Sequence, residues 1–280
     1  MKYVSFEYED GDRSYGTVHD NTILDAGAQL KGVYPDLRSV IEAGAIKELA
    51  GLGSKLVFDS VKLLPPIPYP DKILCIGLNY LDHIEEVGVA VPEYPAVFTR
   101  YPSSLVGHDA PLVRPKASKA YDFEGELAVV IGKTGRHIPK ENAFDHVIGY
   151  TCFNDGSLRD FQVHTNQFWP GKSFQSSGSM GPWLISRDEV GEITKQTLTT
   201  RINGNVEQEA GIDSLTFGIG ELIAYISTVI ELLPGDVIAT GTPGGVGGFR
   251  SPPLHLIPGM KVDVEVTGVG TLTNVVIDEI

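Results

Sequence analysis

Tyr121-Asp122-Phe123-Glu124-Gly125-Glu126-Leu127-Ala128-Val129-Val130 reads as a β-strand. Side chains on a strand alternate between faces, so this strand sets Glu124 and Glu126 on the same side. Two like charges side by side on one face destabilise a strand unless a cation lies between them. The apolar run Val147-Ile148-Gly149-Tyr150-Thr151-Cys152-Phe153 reads as another strand, with Asp155 at its end, where a third carboxylate can converge. Three carboxylates without a Cys or His partner describe a hard oxygen site, suited to Mg²⁺, Mn²⁺ or Ca²⁺ rather than zinc. Glu-x-Glu alone more often marks solvated acids on an acidic surface, so the metal reading draws on the rest of the chain.

The 280 residues suffice for one large domain, or a small one plus a larger one. A formal net charge of −14 argues against nucleic acid or an anionic membrane as partner. No apolar run approaches the length of a membrane span, and the strand-like Met1–Glu7 lacks a signal-peptide core. Cys75 and Cys152, each inside an apolar run, read as buried free thiols in a reducing cytosol, so a cytoplasmic location is expected.

Residues 1–64 read as a small N-terminal α+β domain, with strand-like pieces at Tyr3–Tyr8, Ser14–His19 and Thr22–Asp25 and a helical stretch near Asp36–Leu49. Residues 65–70, with four prolines in six positions, read as a stiff linker. Residues 71–280 are strand-rich with Gly and Pro punctuation. Two helices stand out there, Asn79–Val87 and Ile219–Leu233. The second places Leu222, Ile223, Ile226, Val229, Ile230 and Leu233 at helical spacing, which reads as core packing. Lys261–Thr273 alternates strictly and reads as a hairpin. Strands outnumber helices without regular βαβ alternation, so the fold class is strand-rich α+β rather than a doubly wound sheet.

Several segments carry chemistry. After the strand Lys72–Ile76, His83 and Glu86 share one face of a short helix while Glu85 points elsewhere. A carboxylate beside an imidazole orients it and raises its basicity, as a general base for water requires. Arg159 and Gln162 follow Asp155 within a turn or two, placed to hold a carboxylate or carbonyl. Lys172 follows a turn and can polarise a carbonyl or hold an oxyanion. Gly241-Thr242-Pro243-Gly244-Gly245-Val246-Gly247 is not a phosphate-binding Walker loop; its backbone N–H groups and the Thr242 hydroxyl are expected to approach an anionic ligand. Each of these also has a bland reading, as surface charge or tight turn.

In this order the segments resemble the fumarylacetoacetate hydrolase family, over roughly residues 64 to 278. The shared signatures are Gly-Leu-Asn-Tyr-Leu-Asp-His at 77–83, Pro-Ser-Ser-Leu-Val-Gly at 102–107 and Asp-Phe-Glu-Gly-Glu-Leu-Ala-Val-Val at 122–130. Gly-Tyr-Thr-Cys-Phe-Asn-Asp at 149–155, Gly-Lys-Ser-Phe at 171–174 and Leu-Pro-Gly-Asp-Val-Ile-Ala-Thr-Gly-Thr-Pro at 233–243 complete them. The resemblance implies a mixed β-roll or barrel and a homodimer. It implies that Glu124, Glu126 and Asp155 bind Mg²⁺ or Mn²⁺, and that His83 with Glu86 is the water-activating dyad on a segment that closes as a lid. Lys172 takes a catalytic role in this reading, and Arg159, Gln162, Thr242 and Arg100 contact substrate. Leu78, Arg100 and Gln175 depart from residues common in the family and are expected near the pocket.

The activity this implies is Mg/Mn-dependent hydrolysis of a C–C bond in a 2,4-diketo acid such as an acylpyruvate or fumarylpyruvate, through an enolate that the metal stabilises. The same ligands would serve an isomerase, decarboxylase or pyruvate aldolase acting on a related keto acid such as oxaloacetate. A competing, non-catalytic reading is a structural Ca²⁺ site, which has no use for His83, Glu86 or Lys172.

Overall fold

The computed structural model describes residues 1–280. Strands dominate, and most lie in two mixed sheets; neither closes into a barrel. The larger sheet has twelve strands. Its order runs through Ser54–Val57, Thr22–Asp25, Arg13–His19 and Lys2–Glu7, then Gly178–Ser186, Val147–Asn154, Gly125–Ile131, Val237–Ala239, Ile73–Gly77 and Ala96–Thr99. A five-stranded sheet, Asn205–Gly211, Thr197–Ile202, Lys261–Val266, Gly270–Asp278 and Leu112–Arg114, packs over its centre.

The strand Gly125–Ile131 is buried at all seven positions, because both faces of its sheet are covered. Leu127, Val129 and Ile131 enter the core shared with Leu198, Val264 and Leu272 of the smaller sheet and with Leu222 and Ile226 of the long helix. Ala128 and Val130 face the opposite core, with Tyr3, Leu37, Val40 and Leu49 of the N-terminal segment. Each large apolar side chain so buried contributes roughly 1.5–3 kcal/mol.

Tyr121–Val130 is not one strand. Tyr121–Asp122 pairs with Ser157–Leu158, and the large-sheet strand begins only at Gly125. The reason lies in the backbone donors. The N–H groups of Phe123, Glu124 and Gly125 go to the side chains of Asp122 (2.8 Å), Asn154 (3.1 Å) and Gln208 (3.0 Å) instead of to a neighbouring strand.

The N-terminal strands continue the large sheet, since Tyr3 lies opposite Leu184 in the Lys2–Glu7 and Gly178–Ser186 pair. The proline-rich residues 65–70 form no regular element, yet Ile67 is buried in the same core as Tyr15 and Ile73. The helical stretch at 36–49 is split. Leu37–Glu42 starts at a capping box between Asp36 and Ser39, Gly44 breaks it at φ +68, and Ile46–Leu49 is a 3₁₀ turn. The long helix spans Ile219–Val229 rather than reaching Leu233. Leu232 instead makes a β-bridge with Gly135, which leaves Val229 and Ile230 exposed and not in the core. The C-terminal hairpin forms as expected, from Lys261–Val266 and Gly270–Asp278. No helix is long and apolar enough to cross a membrane. Cys75 and Cys152 are free and buried.

Candidate active site

The three carboxylates meet. One oxygen each from Glu124, Glu126 and Asp155 lies within 4.8 Å of the others, and all three residues are buried. Asp155 ends the strand Val147–Asn154, whose partner begins at Gly125, and Asp155 N donates to Glu124 O at 2.8 Å. Gly125 is forced by the fold, because a Cβ there would stand 1.9 Å from Thr200 Oγ1 of the smaller sheet. The sheets therefore leave no room for a side chain between the two glutamates.

Basic residues balance two of the three acids. Lys172, 2% exposed, places Nζ 2.6 Å from Glu124 and 2.7 Å from Asp155. It reaches them from the turn Trp169–Lys172, which lies tight against the turn Arg159–Gln162. Only glycine fits at 171, where a Cβ would meet Gln162 backbone at 2.5 Å. Arg159 Nη1 donates to Glu124 at 2.6 Å and Nε to Asp122 at 2.8 Å, while Nη2 is buried without a partner. Arg100 pairs with Asp155 and donates to Ser177 and Gly156 O.

Glu126 has no basic partner; Oε2 accepts only the Gly241 N–H, at 3.0 Å. Burial, with the Asp155 and Glu124 charges, pushes its carboxyl well above the usual range. Burial would also raise Glu124, but Lys172 and Arg159 outweigh it and hold that carboxyl at about 2. Burial would lower the Lys172 ammonium, yet Asp155 and Glu124 hold it above its ordinary value. An uncompensated buried carboxylate beside two more is a donor set that fits a divalent cation, and the all-oxygen chemistry suits a hard one. Neither thiol takes part in it, and Cys152 Sγ points to Gly270 O at 3.2 Å.

A cavity of about 310 Å³ opens beside this cluster. Glu124, Arg159, Gln162, Lys172, Thr242 and His83 line it. His83 sits on the helix Leu81–Val87, 6% exposed, with Nδ1 3.1 Å from Glu86 Oε2. Glu85 is exposed, so the sequence assigned the right glutamate to the face of His83. Gln162 Oε1 accepts from Arg159 Nη1 at 2.9 Å.

Three expectations require correction. Arg100 does not line the cavity; it lies behind Asp155, with its donors spent on the protein. Gln175 is exposed and also outside the lining, whereas Leu78 does line the cavity, in a left-handed backbone conformation at φ 55. The glycine loop turns its N–H groups to the protein's own carboxylates: Gly241 to Glu126, Gly245 to Glu86, Gly247 and Gly248 to Asp122. Thr242 likewise donates to Gly125 O and accepts from Gln208.

Asp122, Gln208, Asn154 and Phe249 were not assigned from sequence. Asp122 carried a signal in standing two residues before the Glu-x-Glu. Gln208, between Glu207 and Glu209 on an edge strand, carried none.

Residues 72–277 match the family described as fumarylacetoacetate (FAA) hydrolase C-terminal. Oxaloacetate tautomerase YisK of Bacillus subtilis (strain 168) is 45% identical over 218 residues, covering 76% of this chain and 72% of that protein. The mitochondrial oxaloacetate tautomerase FAHD2A of Homo sapiens is 42% identical over 219 residues, covering 78% and 70%. The solved fumarylacetoacetate hydrolase from psychrophilic Exiguobacterium antarcticum is 35% identical, covers 100% of both chains and gives a TM-score of 0.88.

Proposed function

The chain is an enzyme of the fumarylacetoacetate hydrolase family, and from that premise we propose that it interconverts the keto and enol forms of a small 2-keto acid of the oxaloacetate type. The carrying observation is that His83, Glu124, Arg159 and Lys172 border one small cavity whose other walls include Ile76, Val87, Phe98 and Phe168, with Glu86 paired to His83 and with Glu126 and Asp155 clustered with Glu124. Tautomerisation needs one proton acceptor, one charge stabiliser and no water. Hydrolysis needs, in addition, water admitted to the cavity and activated there by the same His83–Glu86 pair.

His83 would use Nε2, since Nδ1 faces Glu86. It takes the proton from C3 as the C3–H electron pair moves into the C2–C3 bond and charge shifts to the C2 oxygen; that oxygen then takes one proton, in net the one His83 removed, to give the enol and return His83 to its neutral form. Lys172 faces the developing charge, and Arg159 Nη2 is the donor left for the substrate carboxylate. Glu124, Glu126 and Asp155 would hold Mg²⁺ or Mn²⁺, which when bound supplies Lewis-acid stabilisation of the C2 oxygen.

C–C hydrolysis of an acylpyruvate, the sequence's first reading, stands second. The name of the solved hydrolase favours it, while the names of the Bacillus subtilis and human relatives favour tautomerisation. Proton NMR of oxaloacetate enol, with Mg²⁺ or with chelator, separates the two. Cation-dependent conversion to the keto form without pyruvate supports the proposal. Release of pyruvate and a carboxylic acid from acetylpyruvate, with oxaloacetate enol unaffected, overturns it.

A further inference from the structure

Phe249 stands just past the glycine loop and is 47% exposed, a position where an aromatic ring ordinarily does little. Its inner side nevertheless lines the cavity. The ring centroid lies 6.3 Å from that of His83, at an interplanar angle of 72°. The Arg159 guanidinium carbon also lies 5.4 Å from the ring centroid. Phe249 therefore touches two groups that arrive on different elements, the helix Leu81–Val87 and the turn Arg159–Gln162.

The backbone under this ring is tied to the same two groups. Gly245 N donates to Glu86, the partner of His83, at 3.1 Å. Gly247 and Gly248 N donate to Asp122, the partner of Arg159, at 2.8 and 2.7 Å. Arg250 closes the loop on itself by donating to Gly245 O and Val246 O. One short segment thus grips both partners from behind with its amides and both functional groups from the side with its ring. Glu86 restrains His83 at Nδ1 only, and Asp122 and Glu124 restrain Arg159 at Nε and Nη1 only. The ring supplies the missing lateral restraint to each, through an edge contact and a cation–π contact.

We propose that Phe249 is a positioning residue that fixes the distance between His83 Nε2 and Arg159 Nη2, and so where the substrate's reacting carbon sits relative to the proton acceptor. The inference rests on the tautomerase reading given above. Phe249→Leu keeps apolar bulk without a π face; Phe249→Tyr keeps the ring. We expect Phe249→Leu to lower kcat/KM for enol–keto conversion roughly tenfold at unchanged Tm, the scale of one cation–π and one aromatic contact. Phe249→Tyr should retain wild-type kcat/KM. The imidazole proton signals of His83 should shift in the Leu variant and stay in place in the Tyr variant, because only the latter retains the ring current. Equal activity in both variants, or His83 signals that do not respond to Phe249→Leu, overturns the proposal. The NMR readout needs no turnover, so a wild-type enzyme without tautomerase activity sinks the functional reading separately from this one.

Discussion

Glu126 is the residue on which the cation site turns, because it alone among the three acids lacks a basic neighbour. Glu126→Ala should abolish cation-dependent activity while leaving a folded protein. Without the cation its Tm should equal or exceed that of wild type, since a buried carboxyl with no basic partner has gone. Activity retained at saturating Mg²⁺ would remove Glu126 from the site. Arg100 carries the opposite expectation. Both side chains of its pair with Asp155 are fully buried, so Arg100→Met should destabilise the protein in urea denaturation, by less than the roughly 3–5 kcal/mol of a stranded charge because Lys172 still pairs with Asp155. A cost confined to KM would instead return Arg100 to the substrate. His83→Ala should eliminate tautomerisation without altering Mg²⁺ binding measured by calorimetry; a loss of both would make His83 part of the cation site. The acids, the His–Glu pair and Lys172 were legible because each sits in a distinctive local spacing. The burial of Arg100 was not, because a lone arginine looks the same in sequence whether it faces a ligand or a carboxylate.

At the scale of elements, the two sheets are in tight contact at Gly125. Gly125→Ala should destabilise by about 1–3 kcal/mol, the usual cost of overpacking, since the new methyl meets Thr200 Oγ1. Thr200→Ala removes that oxygen, so the double variant should recover part of the loss in a thermodynamic cycle. Additive losses would place the strain elsewhere. The hairpin Lys261–Val266 with Gly270–Asp278 was readable because alternation and turn glycines are local signals. The early end of the helix Ile219–Val229 was not, because its apolar spacing runs on past Val229 while the chain is drawn off to bridge Gly135. The break at Phe123–Glu124 was equally hidden, since the side chains that take its amides come from Asn154 and Gln208 as well as Asp122.

Across the whole molecule, the large sheet carries the N-terminal strands and the acid-bearing strands together, and one core spans both. Removal of residues 1–64 should therefore give insoluble or unfolded protein by circular dichroism, because Met180, Leu184 and Val130 lose their cover. A soluble, cooperatively unfolding fragment 65–280 would show instead that the segment is an independent domain. The amino-acid sequence by itself determined the strand-rich class, the three carboxylates and the His83–Glu86 face, because alternation, helical spacing and charge are properties of neighbouring residues. Tertiary structure alone decided which charges are neutralised and which donors stay free. Gly241 meets Glu126 across 115 positions of chain, and Phe249 meets both His83 and Arg159. Such pairings follow from how the two sheets pack and where the loops between strands are drawn, and no local spacing encodes them.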